Sequence, residues 1–279
     1  MNDKHIFHRG RFHLHYRKTG SGEACWLIFH GFGQSLDHMN PIAALLKDEA
    51  AVYSFDLFFH GNSWFEGDEP IERNEWLKVM EAFFVENGIR RFSMAGFSIG
   101  CRLMTPLIES FSENIDQAIF IAPDGISTNI WYRLATGRPL RNFFRFIAVY
   151  PKAFYKITGA LKRLPLVGRH VLRFAELQMS DRKRRLLVYR TWMAFRKLQA
   201  PARILARNLN KNRVSTAFIL GDSDRIIKEK AVRPLTRRLY RYDVVRIDAN
   251  HRDLPLKAAE AVKAIARHNG RSSTNKSFS

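Results

Sequence analysis

Gly96-Phe97-Ser98-Ile99-Gly100 places a serine two residues from a glycine on either side. Residues 92–97 have the apolar character of a buried strand, and residues 99–111 read as a helix. A serine at so tight a strand-to-helix turn is held in a strained backbone conformation, and glycine two positions away on each side leaves room for the turn. The start of the helix then aims unpaired N–H groups, and the positive end of its dipole, at any oxyanion formed beside the hydroxyl. The chemistry is nucleophilic attack. A serine hydroxyl attacks poorly at neutral pH until an imidazole accepts its proton, and that imidazole needs a carboxylate to fix its tautomer and stabilise its charged form. With ten histidines in the chain, position has to select among them.

The turn belongs to a longer alternation of strands and helices. Phe12, Leu14 and Tyr16 alternate with basic or imidazole side chains, giving an edge strand that turns at Gly20-Ser21-Gly22. Residues 25–29 form a continuous apolar run ending at His30-Gly31-Phe32-Gly33, and a helix carrying Ile42, Leu45 and Leu46 follows Pro41. Residues 51–57 make a strand closing at Asp56, residues 71–86 a helix stopped by Asn87-Gly88, and residues 118–122 a buried strand before Pro123. From 126 to 213 the alternation gives way to basic, aromatic, helix-favouring segments broken at Pro139, Pro151, Pro165 and Pro201. It resumes with a strand at 214–220, a helix at 228–240, a strand at 244–247 and a closing helix at 256–268. The polar residues 270–279 read as a disordered tail. The expected architecture is an α/β domain, residues 1–125 and 214–269, with a mostly parallel sheet covered on both faces and a basic helical insertion at 126–213.

On five motifs the chain resembles the α/β-hydrolase fold superfamily over nearly its whole length. Gly96 to Gly100 is similar to the family's nucleophile turn. His30-Gly31-Phe32-Gly33 resembles its oxyanion loop, and Asp56 with His60-Gly61-Asn62-Ser63 resembles a further family stretch in which Phe59 replaces the usual first glycine. Gly221-Asp222-Ser223-Asp224-Arg225-Ile226-Ile227 looks like the acid loop, and Asn250-His251-Arg252 follows the last strand as the family's histidine does, with Asn250 where glycine is common. The resemblance implies Ser98 as nucleophile, His251 as general base and Asp224 as the orienting acid, in the chain order this fold uses. Asp222 competes with Asp224 for the acid role. The implied oxyanion donors are the backbone N–H groups of Phe32 and Ile99, while His30, His60 and Asp56 are assigned to loop architecture. The family also implies that the insertion is a helical cap, and that the reaction is hydrolysis of an ester or thioester through an acyl-enzyme. No cofactor or metal is implied.

Composition limits the alternatives. The net charge of +20 sits almost wholly in the insertion, where 21 Lys and Arg face only Glu176 and Asp181, against 25 basic and 24 acidic residues elsewhere. Aromatic residues interleave with these cations: Trp131, Tyr132, Phe143, Phe144, Phe146, Phe154, Tyr155, Phe174 and Trp192. Such a segment suits packing of its apolar face on the core with solvated charges outside, or attachment to an anionic membrane that delivers a lipid-like acyl ester. Nucleic-acid contact through the cluster Asp181-Arg182-Lys183-Arg184-Arg185 ranks lowest, since no nucleic-acid-binding module accompanies it. The runner-up function is a catalytically silent protein that binds membrane or a partner through the basic segment. Cys25 and Cys101, both in apolar segments, read as buried free thiols. With neither a signal sequence nor a membrane span evident, the expected location is cytoplasmic, with the membrane surface as the place of any peripheral attachment.

Overall fold

The computed structural model describes residues 3–67, 70–127, 130–152, 155–156, 159 and 179–273. Phe154, Pro165, Phe174 and residues 274–279 lie outside them. Two compact units are formed: residues 1–66, 72–127 and 198–279, and residues 67–71 with 128–197.

The first unit is built on one sheet. Strand β1, Asp3–Arg9, pairs antiparallel with the start of β2, Phe12–Phe29. The chain reverses inside β2 at Gly20, whose φ of 76° suits glycine. Partner positions on β3, Ala50–Phe55, fall from Phe55 to Val52 as β2 runs from Tyr16 to Thr19, then rise from Ala50 to Phe55 as it runs from Glu23 to Phe29. Strand β3 therefore lies between two limbs of β2, parallel to the second. Short β4, Trp64–Phe65, pairs with Phe12 and His13. From the second limb the sheet continues in parallel through β5, Phe92–Phe97, β6, Ile115–Ile121, β7, Ser215–Gly221, and β8, Asp243–Ile247.

Because strand side chains alternate between faces, each continuous apolar run feeds two cores. Trp26, Ile28, Val52, Ala95, Phe97, Ile119 and Ile219 pack on one face with Ile42 and Leu46 of α1, Asn40–Leu46, Leu254 of α9, Leu254–Lys257, and Val262 and Ile265 of α10, Ala259–Ser273. The opposite register positions, such as Phe29 and Phe55, meet Trp76 and Phe83 of α2, Arg73–Glu86, and the Trp76 Nε1–H donates to the Leu103 carbonyl of α3, Cys101–Phe111 (2.9 Å). Gly88, at φ 64°, ends α2 as the sequence suggests.

Three differences from the sequence expectation have physical causes. The segment 228–240 is not one helix but a turn at Glu229–Ala231 followed by α8, Arg233–Thr236. Pro234 lacks an N–H and disfavours helical geometry at the residue before it, so the chain restarts there. The expected insertion 126–213 is longer than the second unit, because α7, Ala202–Lys211, belongs with the first, burying Leu205, Ala206 and Leu209. Hydrogen bonds from Asn208 to the Glu109 carbonyl and from the Thr105 hydroxyl to the Leu198 carbonyl tie this stretch to α3. The tail expected to be disordered from 270 is helical as far as Ser273, since a docked helix gains a hydrogen bond for each further residue at small cost.

In the second unit, α4, Ile130–Thr136, and α5, Arg138–Val149, pack with α6, Arg182–Phe195. Phe144 meets Tyr189 and Trp192, and the Tyr132 hydroxyl donates to the Trp192 carbonyl (2.8 Å). The basic cluster at 181–185 has a structural use here. Asp181 caps α6 by accepting the Arg184 N–H, and buried Arg185 donates to the Ala148 and Met179 carbonyls. No helix among the described residues is long and apolar enough to cross a membrane.

Candidate active site

Ser98 sits at the end of β5, where the strand passes into a short 3₁₀ turn, Ser98–Gly100, and then α3. Its φ of 51° is a conformation that a side chain rarely adopts. Both flanking glycines are required by close approach: a Cβ at Gly100 would strike the Phe29 and His30 carbonyl oxygens, and one at Gly96 the Met104 sulfur. The turn is held further by the Asp124 N–H, which donates to the Ser98 carbonyl (3.0 Å), and by the Cys101 thiol, which donates to the Gly96 carbonyl (3.0 Å). Burial pushes the Cys101 thiol well above its ordinary value, so it stays a thiol. Cys25, expected to be buried, is only half-buried, and its thiol is pushed up to about 12 by burial.

His251 follows β8. Its Nε2 lies 3.1 Å from the Ser98 hydroxyl oxygen and its Nδ1 lies 2.7 Å from Oδ2 of Asp224. The Asp224 side chain is fully buried, and its Oδ1 accepts the N–H groups of Ile226 (2.7 Å) and Ile227 (3.0 Å). Those two bonds leave Oδ2 for the histidine. Asp222 takes no part in this chain: it is exposed and lies 3.5 Å from Arg246. Phe97 stacks obliquely on the His251 ring, with centroids 4.9 Å apart.

The loop 30–33 approaches the same turn closely enough that a Cβ at Gly31 would strike the Phe97 ring. Two of its N–H groups are engaged: Gly31 donates to the Gln34 side chain (3.0 Å) and Gly33 to His60 Nε2 (3.0 Å). Between them the Phe32 N–H has no hydrogen-bond partner among the described residues. Ile99 supplies the first N–H after the serine, at a helix start where such groups lack intrahelical acceptors.

A buried polar network fixes that loop. His30 bonds the Gly31 carbonyl through Nδ1 (2.7 Å) and accepts the Leu57 N–H at Nε2 (3.0 Å), and His60 bonds the Phe58 carbonyl (3.1 Å) while accepting from Gly33. Both rings must be neutral to accept at Nε2. Burial lowers the pKa of each, that of His30 well below 6.5. Asp56 accepts the Leu36 (2.8 Å) and Asn62 (3.0 Å) N–H groups and pairs with buried His15 at 2.6 Å. Phe59, at φ 69°, adopts the left-handed geometry for which the family pattern carries glycine.

Two supporting residues escape sequence reading. Arg102 is 1% exposed on α3 and its guanidinium pairs with Asp124 (2.7 and 2.8 Å), whose backbone holds Ser98. His15 was visible only as one of several imidazoles alternating along β2. A cation inside the apolar face of residues 99–111 is the signal that could have marked Arg102.

A model of the alpha/beta hydrolase family matches residues 26–265. The chain belongs to the alpha/beta hydrolase family. Hydrolysis is the activity class that membership brings, on a parallel sheet flanked by helices. No curated protein matches the sequence. Among solved structures, a membrane phospholipase A described as a bacterial virulence factor shares 18% identity, covering 98% of this chain and 87% of that one at a TM-score of 0.67. A hydrolase from Pseudomonas aeruginosa PA01 shares 15% identity over 96% of this chain and 98% of its own, with TM-score 0.67. A thermophilic esterase from Thermogutta terrifontis shares 16% over 98% of each chain, with TM-score 0.66. At these identities the likeness is one of fold.

Proposed function

We propose that this hydrolase cleaves a carboxylic ester or thioester through an acyl-enzyme, with Ser98 as nucleophile, His251 as general base and Asp224 as the carboxylate that orients it. The observation that carries the reading is the unbroken chain from Ser98 Oγ through both His251 nitrogens to Asp224. His251 takes the serine proton as the hydroxyl attacks the acyl carbonyl, and Asp224 stabilises the resulting imidazolium. The N–H groups of Phe32 and Ile99 receive the oxyanion. Proton delivery from His251 releases the alcohol or thiol, and water, activated by the same ring, frees the acid. Neighbours of the same fold include a phospholipase A and an esterase, which favours ester-bearing, lipid-like substrates. Labelling with a fluorophosphonate probe tests the reading: wild type is expected to label, and Ser98→Ala and His251→Ala are not. A folded wild type that does not label would sink it.

A second reading is favoured by one face of α5. Leu140, Phe143, Phe146 and Tyr150 are exposed at helical spacing, beside exposed Arg141 and Arg145. A helix with apolar and cationic side chains together on its surface suits an anionic bilayer. On this reading the chain docks peripherally on anionic lipid, with or without catalysis. Sedimentation with phosphatidylcholine vesicles, with and without phosphatidylglycerol, separates the cases: binding without probe labelling marks a silent binder, and binding with labelling a peripheral hydrolase.

A further inference from the structure

The acid loop and the histidine loop of the first unit line a solvent-open cavity of about 730 Å³ whose wall includes His251 together with Arg225, Lys228 and Arg252. All three cations are exposed, and none has an ion-pair partner among the described residues. Some exposed arginines elsewhere are matched, Arg91 with Asp116, Arg246 with Asp222 and Glu229, Arg267 with Glu49, and others such as Arg203 and Arg237 are not matched among the described residues; what sets these three cations apart is that they converge on one cavity with His251. The carboxylates in the cavity wall are already engaged, Asp222 by Arg246 and Asp224 by His251 and two backbone N–H groups. The cavity thus concentrates uncompensated positive charge beside the imidazole.

Position decides which part of a substrate would meet it. Ser98 Oγ bonds to the acyl carbon as the carbon–oxygen or carbon–sulfur bond breaks, and the serine proton held on His251 Nε2 passes to the departing atom. Water then adds its oxygen to the acyl carbon and returns a proton through His251 to Ser98. The leaving group must lie against His251 to receive its proton, so the cavity on the histidine is the leaving-group side. We propose that it binds an anionic leaving group, and that the substrates are acyl esters or thioesters whose alcohol or thiol carries phosphate. The inference rests on the Ser98–His251 reading. Two sources share this chemistry: a phosphorylated glycerol headgroup and a soluble phosphorylated thiol carrier.

The test compares matched pairs, a 1-acylglycerol 3-phosphate against the 1-acylglycerol, and an acyl-coenzyme A against the same acyl group on N-acetylcysteamine. Wild type is expected to favour the phosphorylated member of at least one pair by about tenfold in kcat/KM, the scale expected of three partly solvated ion pairs. The pair that shows it identifies the source. The triple variant Arg225→Gln, Lys228→Gln, Arg252→Gln should bring the ratio close to one, while Lys78→Gln, a distant exposed cation, keeps it. No preference in either pair, or one that survives the triple variant, overturns the proposal. Calorimetric titration with glycerol 3-phosphate and with coenzyme A reads the cavity without catalysis: binding of either that the triple variant loses supports it, and binding of neither by wild type overturns it. A wild type that labels with fluorophosphonate yet shows no preference discards the cavity inference alone, whereas absence of labelling discards the hydrolase reading itself.

Discussion

Asp222 and Asp224 stand two residues apart on one loop, yet their surroundings could hardly differ more. Asp224 is buried, with one oxygen committed to two backbone N–H groups and the other to His251, while Asp222 lies exposed beside Arg246. On the proposed mechanism Asp224→Asn presents an N–H or a neutral oxygen where a carboxylate is needed, favouring the wrong imidazole tautomer, and kcat on an activated ester should fall about ten-thousandfold. Asp222→Asn removes an exposed ion pair at the edge of the cavity, and kcat on a neutral ester should stay within about twofold of wild type. If the two losses come out alike, the acid assignment is wrong. Arg102 makes a different demand. Removing its buried charge strands Asp124, whose N–H holds the Ser98 carbonyl, so Arg102→Met should lower stability by about 3 kcal/mol in urea unfolding. The strand-to-helix context marks Ser98, and the family resemblance marks Asp224 and His251, each just beyond the end of a strand. Local spacing could not reveal Arg102–Asp124 or His15–Asp56, because partners 22 and 41 residues apart meet only once the sheet has formed.

At the scale of elements, the loop 30–33 is held by imidazoles that accept hydrogen bonds, and this makes it acid-sensitive. In the unfolded chain His30 and His60 take up protons as pH falls through 6.5, whereas burial keeps both folded rings neutral to lower pH. The unfolded state therefore binds more protons in that window, and stability must fall as pH drops below about 6.5. Urea midpoints measured from pH 7.5 to 5 should decline, and His60→Gln, which keeps an acceptor for Gly33 but cannot charge, should decline less steeply. A midpoint that is flat over this range would contradict the neutral-imidazole account. The strands were the most legible elements, since continuous apolar runs such as 25–29 and 92–97 have few alternatives once turns bound them. The helix expected at 228–240 is divided because Pro234 interrupts its apolar periodicity, and a proline inside a periodic segment restarts the backbone whatever its neighbours favour.

Across the whole chain, the basic excess is confined to a segment whose composition announced an insertion without fixing its limits. The limits were hidden because α7 is as basic as its neighbours on its outer face, and only its buried Leu205 and Leu209, packed with the first unit, show where it belongs. Charge alone is also a poor guide to use, as within the 181–185 cluster Arg185 is buried on two carbonyls and Arg184 pairs with Asp181. What remains available is the surface of α5, where cations and exposed aromatic rings lie side by side. If that face meets an anionic bilayer, two contributions with different salt dependence should separate. Attraction of Arg141 and Arg145 to lipid phosphate is screened within a Debye length of about 8 Å at physiological salt, while burial of Phe143 and Phe146 in the acyl boundary is not. Binding to vesicles containing phosphatidylglycerol should therefore weaken by about tenfold or more between about 0.05 and 0.5 M salt and level off above a residual affinity. Phe143→Ser with Phe146→Ser should remove that residual affinity while leaving the salt-sensitive part, and Arg141→Gln with Arg145→Gln should do the reverse. Equal binding to phosphatidylcholine vesicles, or loss of both parts together in either variant, would mean that the face of α5 is not what touches lipid.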